Sequence, residues 1–434
     1  MKLYDGLVNL VSGMGTGRDK AGRASYAVPV VDEYQALNAY RSSSLIRRAI
    51  DLPAEDAARE WREWQGEADQ ISAIEAEEKR LGLQAKVMTA MKRARLFGGS
   101  AILIGTGDAD TAKPLEPEAV KAGGLRYLTL LSPRDLSAME LEQDPTLPNY
   151  QRPKMWSLRG GLQVHPSRIA VFIGTEPMPE YGTDQNTGFG DSVLIGMMDA
   201  LTRVDEAANN VNSLTYEAKV DVFKIPGLMQ NLRTGGAAYS NEVIKRLTLA
   251  ATGKGISGAL IMDADEQYEQ KSASFGGLPD IMDRFCQLAS AATGIPMTLL
   301  FGMSPGGLNA SGDADIRGYY DRVKVVQSLH MSPAMEILDQ CLVRSALGDY
   351  PAELHYTWRS LWQPTAKDRA EVGDKLMTAL ERLNNMGVVP MEAIGEAAVN
   401  GLTESGAFPG LEAAVAGRYG SDIDGDDDAL PDEL

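Results

Sequence analysis

Apolar positions along the chain change period several times, and each change predicts a new element. Residues 34–50 repeat at helical spacing, Pro53 is expected to break that helix, and a second helix is expected to run to about Trp64. Residues 69–97 predict one or two amphipathic helices, with Ile71, Ile74, Leu81, Val87, Met91 and Leu96 on the apolar face. Gly98 and Gly99 end that pattern, and the continuous apolar run at 101–105 predicts a buried strand. Further short strands are expected at 126–131, 136–141, 155–158 and 168–173, between turns rich in Pro, Gly and Asp. Segregated helices and strands predict an α+β region.

Residues 191–218 carry the longest uninterrupted helical pattern. Leu194, Leu201 and Ala208 recur every seven residues, and so do Met197, Val204, Val211 and Ala218. Such a seam resembles that of a coiled coil, and a helix of this length spans roughly 40 Å. Asp199, Arg203, Asp205, Glu206, Asn209, Asn210 and Asn212 leave the remaining faces polar. A narrow apolar stripe on a long helix is expected either inside one domain or against copies of the same helix around a ring. Residues 219–277 then predict a small α/β insertion: a strand near 222–225, a helix near 240–251, and strands at 259–263 and 267–272. A helix at 280–293 follows, stopped by Gly294 with Pro296 just beyond. The loop 301–313 is rich in Gly, Ser and Asn, and leads into a helix at 314–344 that Pro333 should kink. A strand near 353–357 and two helices within 366–400, divided by Gly387 and Pro390, complete the pattern.

Composition narrows the function. The 434 residues suffice for two or three domains, and 44% hydrophobic with 24% charged residues is ordinary for a globular protein. No apolar run approaches a membrane span, and the first residues lack the apolar core and cleavage site of a signal peptide. Two cysteines, Cys286 and Cys341, sit in apolar helical contexts and are expected as buried thiols; three scattered histidines do not make a metal site. Net charge is −18, and the segment from Asp422 to Leu434 is acidic with no basic residue. A protein that grips DNA needs clustered Lys and Arg, whereas an acidic wall repels phosphates and lets a duplex slide.

Enzyme motifs fail on their details. The glycine rhythm at Gly13 follows no strand, so it is no dinucleotide site. Gly253 and Lys254 begin like the end of a phosphate-binding loop, but position 248 is Thr and Gly255 stands where Ser or Thr is required. Asp422, Asp424, Asp426, Asp428 and Glu433 have the carboxylate spacing of a calcium loop, but Asp427 occupies the position of the obligatory glycine. No catalytic constellation, cofactor or metal is expected.

Several ordered segments carry a resemblance: residues 47–56 (RRAIDLPAED), 95–104 (RLFGGSAILI), 164–172 (VHPSRIAVF), 188–194 (GFGDSVL) and, most specifically, 291–312 (AATGIPMTLLFGMSPGGLNASG). In this order the chain, from about Tyr34 to Leu402, resembles the portal proteins of tailed bacteriophages, in the branch related by name to an anti-CBASS protein. The resemblance implies an α+β portal-type protomer: an N-terminal arm (1–33), a wing of helices and strands (34–190), a stem helix (191–218), a small α/β clip (219–277), a second stem helix (278–300), a tunnel loop (301–313), a kinked wing helix and strand (314–362), a small helical crown (363–415) and an acidic tail (416–434). It implies a non-enzymatic homo-oligomeric ring, dodecameric in the virion, through which double-stranded DNA is packaged and ejected without sequence specificity. Implied partners are the large terminase, then neck or adaptor proteins, with the major capsid and scaffolding proteins during assembly in the host cytoplasm. Met303, Ser304, Pro305, Asn309 and Asp313 are expected to line the channel. Lys224, Arg233, Lys245, Arg246 and Lys254 give the clip a positive bias toward a partner or passing DNA. Leu194, Met197, Leu201, Val204 and Val211 are expected at the ring interface. The competing expectations are a metal-dependent nuclease and another capsid or neck component.

Overall fold

The computed structural model describes residues 31–108, 110–176, 188–216, 219–253, 265, 267–272, 275–303, 312–362, 366–387, 389–404, 407, 408, 411 and 415. The chain forms two compact units, one ending at Trp358 and one beginning at Arg359.

Helices α1 (Glu33–Ser42) and α2 (Ser44–Arg59) open the first unit. The break falls at Ser43, in extended conformation, whose hydroxyl accepts from the Ile46 amide and caps α2. Pro53, expected as a breaker, lies inside α2. Proline cannot donate to the carbonyl four residues back, and here another donor takes over. The Arg95 guanidinium donates to the Ala49 carbonyl at 3.0 Å and to the Ile50 carbonyl at 3.1 Å. Burial pushes the Arg95 pKa down to about 10, while Tyr319 beside it opposes the fall. Replacing Arg95 with alanine is expected to leave the Ala49 and Ile50 carbonyls without these donors. The cost should be about 1–3 kcal/mol of stability, read by urea unfolding.

The expected extension of this helix to Trp64 is replaced by strand β1 (Arg62–Gln65). It pairs antiparallel with β10 (His355–Trp358), setting Arg62 opposite Trp358 and Trp64 opposite Tyr356. Arg62 and Trp64 therefore point inward, and Glu63 and Gln65 outward.

Helices α3 (Ala68–Leu81) and α4 (Leu83–Phe97) are separated by Gly82 in the left-handed region. Gly98 closes α4 with φ +87°, and β2 (Gly99–Gly105) starts at once. A Cβ on Gly98 would lie 2.2 Å from the Gly190 carbonyl oxygen, and one on Gly99 2.2 Å from the Phe189 ring, so neither position accepts a side chain. Strand β2 is buried and central, in the antiparallel order β3 (Tyr127–Leu131), β2, β7 (Ile169–Ile173). A second antiparallel sheet holds β4 (Leu136–Leu141), β5 (Pro153–Leu158) and β6 (Gln163–Val164). Ala101, Leu131, Leu136, Trp156, Val164, Ile169 and Phe189 share one core between the sheets.

Arg62 is the charged centre of this unit. Its side chain is 0% exposed, donating to Asp339 at 2.6 Å and to Glu78 at 2.8 Å. Trp61, Trp64 and Tyr356 surround it with ring centroids 4.7–5.4 Å from the guanidinium carbon, and both indoles donate to Glu78. Burial works against this charge, but Asp339 and Glu78 outweigh it and hold the pKa above the ordinary arginine value.

Helix α10 (Asp313–Val326), a π-helical turn (Gln327–Met331) and α11 (Ser332–Leu347) form the kinked element. The irregular turn lies just before Pro333, which falls in the first turn of α11. The Ser332 amide donates five residues back, to Gln327, bypassing the register that Pro333 cannot sustain. The Gln327 side chain donates to the Ala57 carbonyl at 2.9 Å, anchoring the turn on α2. In the second unit, α12 (Ala366–Met386) ends at Gly387, φ +63°, and packs with α13 (Met391–Glu404).

Candidate functional site

The expected stem begins where two of the sequence segments meet. The Ser192 hydroxyl donates to the Leu96 carbonyl at 2.7 Å, and the Gly190 amide to Gly98 at 3.1 Å. The chain leaves this root as α5 (Leu194–Tyr216), the longest helix of the first unit. The Ser43 hydroxyl, at the α1–α2 joint, donates to Asp205 at 2.8 Å and fixes the flank of α5.

Helix α5 packs on α8 (Leu278–Thr293) of the same protomer. Leu194, Met197, Leu201 and Val204 are buried within this single chain, Leu201 at 0% exposure. The expectation that these four face a neighbouring copy is therefore corrected: the heptad seam is already covered, with Cys286 and Ala289 of α8 buried on the facing helix. Val211 is half-buried, and Ala208 is exposed. The outer face of α5 is polar, with Asp199 and Arg203 paired at 2.9 Å.

The outward apolar stripe lies on α8 instead. Ile281 is 53% exposed and Leu288 58%, seven residues apart and so on one face, with exposed Ala292 continuing it. Arg284 lies among them, its guanidinium donating to Gln287 at 2.8 Å. Helix α8 is thus apolar on two faces, one covered by α5 and one open.

Gly294 ends α8 in the left-handed region, and its carbonyl accepts from Arg322 of α10 at 3.2 Å. The short α9 (Met297–Leu300) is held by Arg48, which donates to the Leu299 carbonyl at 2.8 Å. Both ends of the loop 301–313 are therefore anchored. Met303 is exposed at the departing end; Asp313 is exposed at the returning end, where it and Asp315 complement the dipole of α10. Ser304, Pro305 and Asn309 lie outside the described residues.

The insertion consists of β8 (Lys219–Lys224), α6 (Leu228–Thr234), α7 (Gly236–Gly253) and β9 (Gln267–Ser272), with β8 and β9 antiparallel. Lys224 pairs across the strands with Glu269 at 3.8 Å, which offsets part of the expected positive bias. Arg233, Lys245 and Arg246 are exposed. Lys254 and the expected strand 259–263 lie outside the described residues, as do the segment before residue 31 and the acidic tail. Among the described residues no three His, Cys, Asp or Glu side chains are grouped to hold a metal, and no helix is long and apolar enough to cross a membrane. Both cysteines are buried free thiols.

The Arg62 cluster, the closure of the seam and the open stripe of α8 were missed by pattern alone. The alternation Trp61, Arg62, Glu63, Trp64 and the Ile281–Leu288 spacing were the available signals.

A family model described as "Phage portal protein" matches residues 34–382. A Caulobacter protein (strain RHG1) described as "Anti-CBASS protein Acb1" is 38% identical over 432 residues, covering 95% of this chain and 68% of that protein. An uncharacterized protein of Haemophilus influenzae is 28% identical, covering 95% of this chain and 93% of its own. A solved structure titled "Neck of empty GTA particle computed with C6 symmetry" has the same fold at a TM-score of 0.50 and 14% identity, covering 88% of this chain and 99% of that one.

Proposed function

The chain belongs to the phage portal protein family, and on that premise we propose that identical copies close into a ring whose bore conducts double-stranded DNA into and out of a viral capsid. The observation that carries the ring is the two-sided helix α8. One face is spent on α5, and the other leaves Ile281 and Leu288 open to water in a lone protomer. Fully burying such a side chain is worth about 1.5–3 kcal/mol, and a ring repeats that gain at every junction. A closed ring needs two different faces on each copy, one meeting the other across each junction. The polar outer flank of α5 and the apolar stripe of α8 are distinct faces of this kind.

The net charge of −18 suits a conduit that DNA crosses without adhering. The loop between α9 and α10 is the natural constriction, because Arg48 and Arg322 hold the chain that leads into it. The β8–β9 insertion, with its exposed Arg233, Lys245 and Arg246, is the clip that meets the terminase during packaging and neck or adaptor proteins afterwards. The protein acts structurally in the virion, at one vertex, and meets capsid and scaffolding proteins during assembly in the host.

Removing residues 304–310 tests the loop. Rings of normal mass are expected, with packaged or retained DNA reduced at least tenfold, measured as protected genome per particle. Normal genome filling by that variant would overturn the assignment of the constriction.

A further inference from the structure

We propose that the cleft beside Asp339 binds a small organic cation bearing N–H donors, a primary ammonium or a guanidinium. The cleft has a volume of about 370 Å³ and lies between α11 and the segment leading to β10, with Ser332, Glu336, Asp339, Arg344, Tyr350 and Tyr356 among its lining. Its floor is Asp339, only 6% exposed. One carboxylate oxygen, Oδ2, accepts from Arg62 at 2.6 Å; the other, Oδ1, is buried without a hydrogen-bond partner. A buried acceptor left unpaired is costly, so a donor arriving at this oxygen is favoured.

The surroundings select the sign of the ligand. Glu336 stands one helical turn before Asp339 on α11 and has no ion-pair partner among the described residues. Two carboxylates therefore face the cleft. Arg62 behind the floor is already committed to Asp339 and Glu78. Arg344, the cation at the rim, lies over the Tyr350 ring at 5.4 Å and faces Glu118 at 3.9 Å. An anion would meet two carboxylates and no free cation. A cation meets two acceptors of opposite charge beside Tyr350 and Tyr356. Among the described residues no third His, Cys, Asp or Glu joins the two carboxylates, which favours an N–H donor over a bare metal ion.

The cation has two sources, a free polyamine or a basic side chain of a neighbouring copy. Agmatine, which carries both groups, distinguishes them by calorimetric titration. The full-length protein and the unassembled Ile281→Asp, Leu288→Asp form are titrated in parallel. Saturable binding to both points to a free cation. Binding to the unassembled form alone points to a neighbour's side chain filling the cleft in the ring. In the form that binds, Glu336→Gln is expected to weaken agmatine at least tenfold, and Tyr350→Ala to weaken it less. Glu75→Gln, an exposed change on α3, should leave it unaltered. Absence of saturable binding in both forms, or binding that Glu336→Gln does not change, would overturn the proposal and leave a water-filled cleft.

Discussion

Replacing Arg62 with alanine is expected to destabilise the first unit by about 3–5 kcal/mol, the largest single-residue effect in the protein. The truncation leaves Glu78 and Asp339, both buried, facing each other with their only buried cation among the described residues removed. It also opens a hole between Trp61, Trp64 and Tyr356, whose rings surround the guanidinium. Strand β1, α3 and α11 are joined through this one side chain, so their docking should loosen together. Changing all three ionic partners to apolar residues of similar volume, Arg62→Met with Glu78→Leu and Asp339→Leu, should recover most of the loss, because no charge is then stranded. Urea unfolding at one fixed protein concentration separates the cases. A single variant as stable as the parent would mean that water reaches and solvates the two carboxylates.

The second large effect concerns assembly. Ile281→Asp with Leu288→Asp places two charges on the open stripe of α8, where a lone protomer tolerates them and a packed junction does not. Circular dichroism and melting temperature of the unassembled protein should stay near those of the parent protomer, while rings disappear. Leu201→Asp with Val204→Asp should behave oppositely in one respect. Both positions are buried within the chain, so the charges enter the α5–α8 contact and cost several kcal/mol of stability before any question of assembly arises. Loss of rings from both variants with loss of folding from the second alone is the expected pattern. Intact rings in the first variant would place the junction elsewhere.

The elements were legible where local chemistry acts alone. Gly294 stopped α8 where expected, Gly98 and Gly99 turned a helix into a buried strand, and the strands 136–141 and 267–272 fell on their predicted positions. The misreadings share one cause: a partner distant in sequence. Pro53 signals a break, yet Arg95, far along the chain, supplies donors to the carbonyls it disturbs. Arg62 and its neighbours follow a helix closely enough to suggest its continuation, yet β10 pairs with them and turns a charged residue into the core. The heptad of α5 correctly declares an apolar stripe, but periodicity cannot say which helix covers it. Here α8 does so within the protomer, and the open face passes to α8 itself. The loop's candidate residues were legible as composition only, since Gly-, Ser- and Asn-rich sequence fixes its character but not its course.

Everything functional rests on copies of this chain covering one another's α8 stripe. Measuring the mass of the purified full-length particle in solution, by light scattering after size-exclusion chromatography, tests that directly. A discrete high-multiple species, reduced to single chains by Ile281→Asp with Leu288→Asp, is the expected result. A parent protein that remains a single chain at the highest attainable concentration would contradict it.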